Sequence, residues 1–102
     1  MAILHTVNKS PYERNNLESC LTYSKAGSGI ILIEDGVYGA ISQSGKSELL
    51  KAAVSDKKVY VLGPDLKARG LSEDLMIEGV EIVDYDRFVV LVTEFDKVQA
   101  WL

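Results

Sequence analysis

The chain has 102 residues, of which 47% are hydrophobic and 25% are charged, and its formal net charge is -4 at pH 7. This length fits one domain, 1–102, and the composition is too apolar for a disordered chain. The negative charge disfavours charge-driven binding to nucleic acid or to an anionic membrane, and no stretch approaches the roughly 20 apolar residues of a transmembrane helix.

The first half of the chain predicts two strands and two helices, with a short helical segment at 37–41. Ile3–Val7 is rich in β-favouring residues and predicts a first strand. Ser10-Pro11-Tyr12-Glu13 combines a capping serine, a proline and a glutamate, so we expect a helix from there to about Lys25. The apolar run Ile30–Ile33 predicts a buried strand, and Lys46–Ser55 predicts a second helix with Leu49, Leu50 and Ala53 inside.

The second half predicts two more strands, a last helix and an apolar tail. Asp84 is placed to cap that helix, whose apolar residues Phe88, Val89, Leu91 and Val92 we expect to pack inward. The tail, 98–102, is apolar enough that we expect it to lie on the sheet or in an interface. The predicted elements are a strand at Lys58–Leu62, a turn at Gly63–Asp65, a helical turn at Asp65–Arg69 closed by Gly70, a loop or short helix at Leu71–Ile77, a strand at Val80–Val83 and a helix at Tyr85–Phe95.

Strands that alternate with helices predict parallel strands joined by right-handed crossovers. The fold class is therefore α/β, and we expect a three-layer α/β/α domain with a small, open, mostly parallel sheet. In such sheets functional groups gather at the carboxyl ends of the strands. Here those ends are Asn8–Ser10, Glu34–Tyr38, Gly63–Asp65 and Asp84–Tyr85.

Cys20 is the candidate catalytic residue, because a thiolate can accept sulfur from a persulfide and pass it on. It is the only cysteine, and the chain has only one histidine, His5. An internal disulfide is therefore impossible, and a structural zinc site within the chain is disfavoured. The spacing of Leu17, Cys20, Leu21 and Ser24 is also that of the inward stripe of a helix, which would make the thiol a small core residue. We expect a cytoplasmic protein without a bound metal or cofactor.

Four other features favour structural or solvent-facing roles. His5 lies in the first strand, where we expect a neighbouring hydrogen bond to hold it. Glu34-Asp35 precedes a glycine and is typical of turn and cap chemistry, although a carboxylate pair can serve acid–base catalysis. Gly45-Lys46-Ser47 lacks the first glycine of a phosphate loop, since position 40 is alanine, so nucleotide binding is disfavoured. The basic pair Lys67 and Arg69 is expected to face solvent.

A family resemblance extends in order over nearly the whole chain, and the stretch 43–57 matches least. The blocks that carry it are Leu4–Pro11, Leu17–Leu21, Ile33–Tyr38, Tyr60–Gly70, Val83–Tyr85, Phe88-Val89 and Val98–Trp101. Together these blocks resemble the DsrH/TusB family of sulfur-relay subunits. Cys20 favours the DsrH branch, because DsrH-like members typically have a cysteine in this helix.

The resemblance implies a function and a set of partners. Family members act in a heterohexamer with DsrE/TusD-like and DsrF/TusC-like subunits, and a DsrC/TusE-like protein accepts the sulfur. In one branch the complex handles persulfide sulfur in sulfur oxidation, which is the function we expect from Cys20. In the other branch it relays sulfur to 2-thiolation of the tRNA wobble uridine. The main sulfur-carrying cysteine belongs to the DsrE/TusD subunit, so this chain is an accessory sulfur carrier or a purely structural subunit.

Overall fold

Five parallel strands form one open sheet in the order β4–β3–β2–β1–β5. The computed structural model describes residues 2–43, 45 and 47–102. The first four strands lie within a residue or so of their predicted positions, and the apolar tail forms the fifth. The strands are β1 Ile3–Val7, β2 Gly29–Leu32, β3 Lys58–Leu62, β4 Glu81–Val83 and β5 Lys97–Trp101.

The helices lie on both faces of this sheet, which confirms the predicted α/β class. Two 3-10 helices, Glu34–Ala40 and Glu73–Leu75, join the α-helices. No helix in the described part of the chain is long and apolar enough to cross a membrane. The α-helices are α1 Asn16–Tyr23, α2 Ser47–Ala53, α3 Gly63–Ala68 and α4 Tyr85–Glu94.

The two faces of the sheet have separate apolar cores. On one face, strand residues such as Val7 and Val61 pack with Leu17 of α1, Leu50 of α2 and Leu66 of α3. On the other face, α4 supplies the only fully buried helix side chain of the cluster, Leu91. It packs with Leu4, Ile31, Tyr60, Leu62 and Val83. One face is thus covered by three α-helices and a 3-10 helix, and the other by α4.

The first helix begins later than the sequence predicts. The Ser10 hydroxyl accepts a hydrogen bond from the Tyr12 amide at 3.2 Å, but the resulting turn does not continue into the helix. Instead α1 begins at Asn16, and the capping position, Asn15, makes no side-chain capping bond. Asparagine favours turns over helix interiors because its side chain competes for backbone hydrogen bonds, which accounts for the interruption.

The prediction for the inner face of α4 was half wrong. Leu91 is fully buried and Phe88 is partly buried, but Val89 and Val92 are 66% and 41% exposed. Phe88–Val92 is an unbroken apolar run, so periodicity alone does not show which side of the helix faces the sheet.

Two smaller differences concern α2 and α3. The predicted turn at Gly63–Asp65 is the first turn of α3, in which Pro64 is tolerated because it needs no amide hydrogen bond there. Gly70, with φ +67°, follows the helix as expected. Lys46, the predicted first residue of α2 and the middle of the Gly-Lys-Ser segment, lies outside the described residues, as does Ser44.

Candidate functional site

Cys20 is the predicted sulfur-carrying residue, and it lies in the middle of α1. Its exposed fraction is 0%, as is that of Leu17 on the same stripe of the helix. Both belong to the larger core cluster, together with Leu50 and Ala53 of α2. The helical spacing therefore places Cys20 on the inward stripe that the sequence indicated.

The surroundings of Cys20 disfavour the thiolate. Burial raises the pKa of the thiol to about 12, and the positive charge of Lys57 lowers this pKa only in part. Lys57 itself is paired with Asp56, at 3.3 Å between Nζ and Oδ1. Since the thiolate is the attacking species in sulfur exchange, Cys20 is a poor nucleophile at neutral pH in this conformation.

Three surface depressions surround α1, and Cys20 lines none of the three. Glu18, which is exposed on the outer side of the helix, lines two of them. One of the two lies against the turn that precedes α1, and the other lies along the exposed side of α1. The third has a volume of about 460 Å³ and is lined by His5, Tyr23, Ser28 and their neighbours. A sulfur donor in any of these depressions would reach the thiol only after α1 moved.

His5 is held by a neighbouring hydrogen bond, as the sequence predicts. It is 1% exposed, and its Nδ1 accepts a hydrogen bond from Nε1 of Trp101 at 3.0 Å. Burial lowers the pKa of His5 from its ordinary value of 6.5. The neutral imidazole is needed for this bond, because a protonated ring has no acceptor. The pair therefore connects β5 to β1 by a side-chain hydrogen bond, in addition to the backbone hydrogen bonds between the two strands.

The acidic residues after β2 stabilise the carboxyl edge of the sheet. Asp35 Oδ1 accepts a hydrogen bond from Nε of Arg69 at 2.9 Å and forms an ion pair with Nη2 of Arg69, also at 2.9 Å. The Glu34 amide donates to Asp65 at 2.6 Å. Arg69 is therefore not simply solvated, as the sequence suggested. Its spacing of four residues from Asp65 on α3 was the available signal. Asp35 is committed to an ion pair, which disfavours a free carboxylate pair for acid–base work.

The profile of the family described as "DsrH like protein" matches residues 9–98. The chain belongs to the DsrH family. The resemblance seen in the sequence blocks is thereby confirmed, and the match includes α1 with Cys20.

Curated relatives of this DsrH family chain carry the name Protein TusB. That of Pectobacterium parmentieri is 34% identical over 99 residues, which cover 97% of this chain and 100% of the relative. The relative from Erwinia tasmaniensis is 36% identical and that from Escherichia coli K12 is 32% identical, each with the same coverage.

Solved structures with the same fold include the ychN protein from Escherichia coli. It has a TM-score of 0.82 and 20% identity over 98% of both chains. Protein Tm0979 from Thermotoga maritima has a TM-score of 0.66 and 26% identity, covering 92% of this chain and 93% of its own. These structures support the open parallel sheet described above.

Proposed function

We propose that this chain is the TusB-type subunit of a sulfur relay that supplies 2-thiolation of the tRNA wobble uridine. The observation that carries the proposal is the agreement with proteins named TusB along the whole of their length. The sulfur-oxidation function expected from Cys20 has weaker support, because that expectation depended on one cysteine.

The position of Cys20 supports this choice of branch. A fully buried site on the inner stripe of α1 accepts cysteine as a small hydrophobic residue, whatever the chemistry of the complex. The presence of this cysteine is therefore a poor marker of the sulfur-oxidation branch. A persulfide on Cys20 stays a prediction, and it would require α1 to open.

The role we propose is assembly rather than thiol chemistry. The chain would hold TusD-like and TusC-like subunits in a heterohexamer, in which the TusD-like cysteine carries the sulfur to a TusE-like acceptor. A thiol with a pKa raised to about 12 and enclosed by the core is suited to packing and not to exchange. The cytoplasmic location expected from the sequence belongs to the same proposal.

Deletion of the gene tests the pathway. We expect loss of the 2-thio group from the wobble uridine of the affected tRNAs, measured by mass spectrometry of digested tRNA, and restoration by the wild-type gene. Unchanged thiolation together with loss of sulfur oxidation would contradict the proposal and favour the other branch.

Complementation with Cys20→Ala and Cys20→Ser tests the role of the thiol. Because the proposed role is assembly, we expect both variants to restore thiolation, provided that each still co-purifies with its partners. Variants that assemble normally but restore nothing would establish Cys20 as a sulfur carrier. Intact-mass measurement of the donor-treated complex then gives an independent check, since a carrier gains the mass of sulfur at this residue.

A further inference from the structure

The α4 side of the sheet is only partly covered, and the uncovered part lies over β5 and the Thr6 end of β1. The buried cluster on this side draws on β4, β3, β2 and Leu4 of β1. On β5, Val98 and Ala100 are exposed. They pair in register with Leu4 and Thr6 of β1, so their side chains point to the same side as the buried Leu4.

The two flanks of α4 differ in chemistry. Nε of Arg87 lies 3.6 Å from Glu81 of β4, and Nη1 of Arg87 lies 3.2 Å from Glu94. This polar flank therefore faces the β4 edge of the sheet. Tyr85, Val89 and Val92 recur at the i, i+4, i+7 spacing on the opposite flank, and all three are exposed. The apolar flank consequently faces β5 and the Thr6 end of β1.

These exposed residues and the partly buried Thr6 form one surface. The apolar flank of α4 forms its wall, and the strand residues beside that flank form its floor. We call this surface the α4–β5 groove, and it comprises Tyr85, Val89, Val92, Thr6, Val98 and Ala100. Adjacent strands are about 4.8 Å apart and a helix is about 10 Å wide, so a five-stranded face has room for two helices. This chain supplies one of them. By these general dimensions, the uncovered part of the face leaves room for about one additional helix.

The charge around the groove decides between a second copy and a different chain. In segment 81–102, which contains α4 and β5, Glu81, Glu94 and Arg87 belong to the polar flank. The other charged residues of the segment are Asp84, Asp86, Asp96 and Lys97. Lys97 pairs in register with Ile3, so its side chain points to the opposite side of the sheet from Leu4 and Val98. A two-fold contact between identical chains would bring two acidic rims together, which is unfavourable. A partner with basic residues beside an apolar helix face would instead match both the shape and the charge.

We infer that the α4–β5 groove binds an amphipathic helix of a different subunit of the relay complex, with basic residues flanking its apolar face. This rests on the proposed function, because such a partner exists only if the chain works in a hetero-complex. The apolar flank of α4 and the exposed floor of β5 provide the buried centre, and the acidic rim sets the orientation and the choice of partner.

Two neighbouring valines of α4 provide a matched pair of variants. Val89 is on the apolar flank, whereas Val90 is 46% exposed and points away from it by about 100° of helical rotation. Each variant, Val89→Lys and Val90→Lys, is co-expressed with the TusC-type and TusD-type subunits of the same organism. Affinity is then measured with the purified components. We expect V89K to weaken assembly at least about tenfold and V90K to leave it within about twofold.

The controls distinguish failure of the groove assignment from failure of the proposed function and from unfolding of a variant. Both valines are exposed, so both variants should unfold at the same temperature as the wild type, and this is checked first. If V89K and V90K assemble equally well, the groove is not the binding site, and the proposed function is unaffected. A wild-type chain that binds neither subunit would overturn the proposed function itself. A wild-type chain that dimerises alone, through a contact that V89K breaks, would show that a second copy occupies the groove.

Salt dependence tests the charge of the partner. If basic residues face the acidic rim, added sodium chloride must weaken the wild-type complex and slow its association. Affinity that is unchanged or increases with salt would overturn the basic rim that we assign to the partner helix.

Discussion

Cys20 shows how strongly the environment of a single residue decides its chemistry. A thiol on the same helix but facing solvent would titrate near its ordinary range, whereas burial raises the pKa of Cys20 to about 12. The sequence located the residue on an inward stripe and also marked it as a nucleophile. Only the packing of α1 against α2 distinguishes these two interpretations, and that packing depends on residues far apart in the chain.

We therefore predict slow reaction of Cys20 with a disulfide reagent such as dithionitrobenzoate in the native protein. The rate should rise as denaturant is added, in parallel with unfolding, because the thiol is reached only from an open state. Native reaction as fast as that of the unfolded chain would show that α1 opens freely and would restore Cys20 as a carrier.

His5 and Trp101 give a prediction about pH. The pKa of His5 is lowered in the folded state by burial, so the unfolded state binds the proton more readily. The stabilising effect of the neutral histidine is fully present above the unfolded-state pKa of 6.5 and is lost as pH falls towards the folded-state pKa. We expect the unfolding free energy to decrease with acidification below about pH 6.5, and His5→Gln to flatten this dependence in urea titrations.

Trp101→Phe tests the hydrogen bond between His5 and Trp101 by changing its donor. It removes the indole donor and leaves Nδ1 of His5 without the partner it has in the native structure. A loss of about 1–3 kcal/mol in unfolding free energy is expected. A variant as stable as the wild type would show that the hydrogen bond does not contribute to holding β5.

The elements illustrate where local sequence signals are sufficient and where they are not. The cap of α4 was predictable, because Asp84 precedes a helix-forming run and its Oδ1 accepts the Arg87 amide at 2.8 Å. The apparent cap at Ser10 does not start α1, because the turn that it caps ends before the helix, which begins at Asn16. The side of α4 that packs on the sheet was not predictable either, because apolar residues occupy more than one side of this helix. The exposed apolar residues of α4 lie beside the uncovered part of the sheet.

Removing the cap of α4 should have a defined cost. Asp84→Ala leaves the Arg87 amide without its side-chain acceptor, so we expect a loss of about 1 kcal/mol in unfolding free energy by urea titration. Asp86→Ala is the matched control, since Asp86 is an exposed acid in the same turn but not the capping residue. Equal effects of the two changes would attribute the loss to charge rather than to the cap.

Gly36 marks a close approach of two elements. It belongs to the 3-10 helix Glu34–Ala40, and a Cβ there would clash with the backbone carbonyl oxygen of Val7 at the end of β1. We expect Gly36→Ala to destabilise the protein by about 1–3 kcal/mol or more, because backbone has little freedom to move aside. Gly45→Ala is the control, since a Cβ at Gly45 meets no atom within 4 Å. Thermal unfolding of the two variants distinguishes a steric effect from a general effect of adding a methyl group.

At the level of the whole molecule, alternating strands and helices indicated a parallel α/β sheet but not its strand order. The order depends on which crossover returns to which edge, and β5 returns past three strands to pair with β1. The two faces could not be assigned from the sequence for the same reason. The two faces are covered unequally, since α4 alone among the described α-helices covers one of them, and the proposed partner helix is inferred from this difference.

The pairing of β1 with β5 also has a consequence during synthesis. Ile3 is opposite Lys97 and Val7 is opposite Trp101, so one edge of the first strand has no neighbour until residues 97–101 have been translated. A nascent chain therefore exposes an unpaired strand edge while the roughly ninety residues between the two strands are made. The sheet closes only when β5 has left the ribosome and can pair with β1.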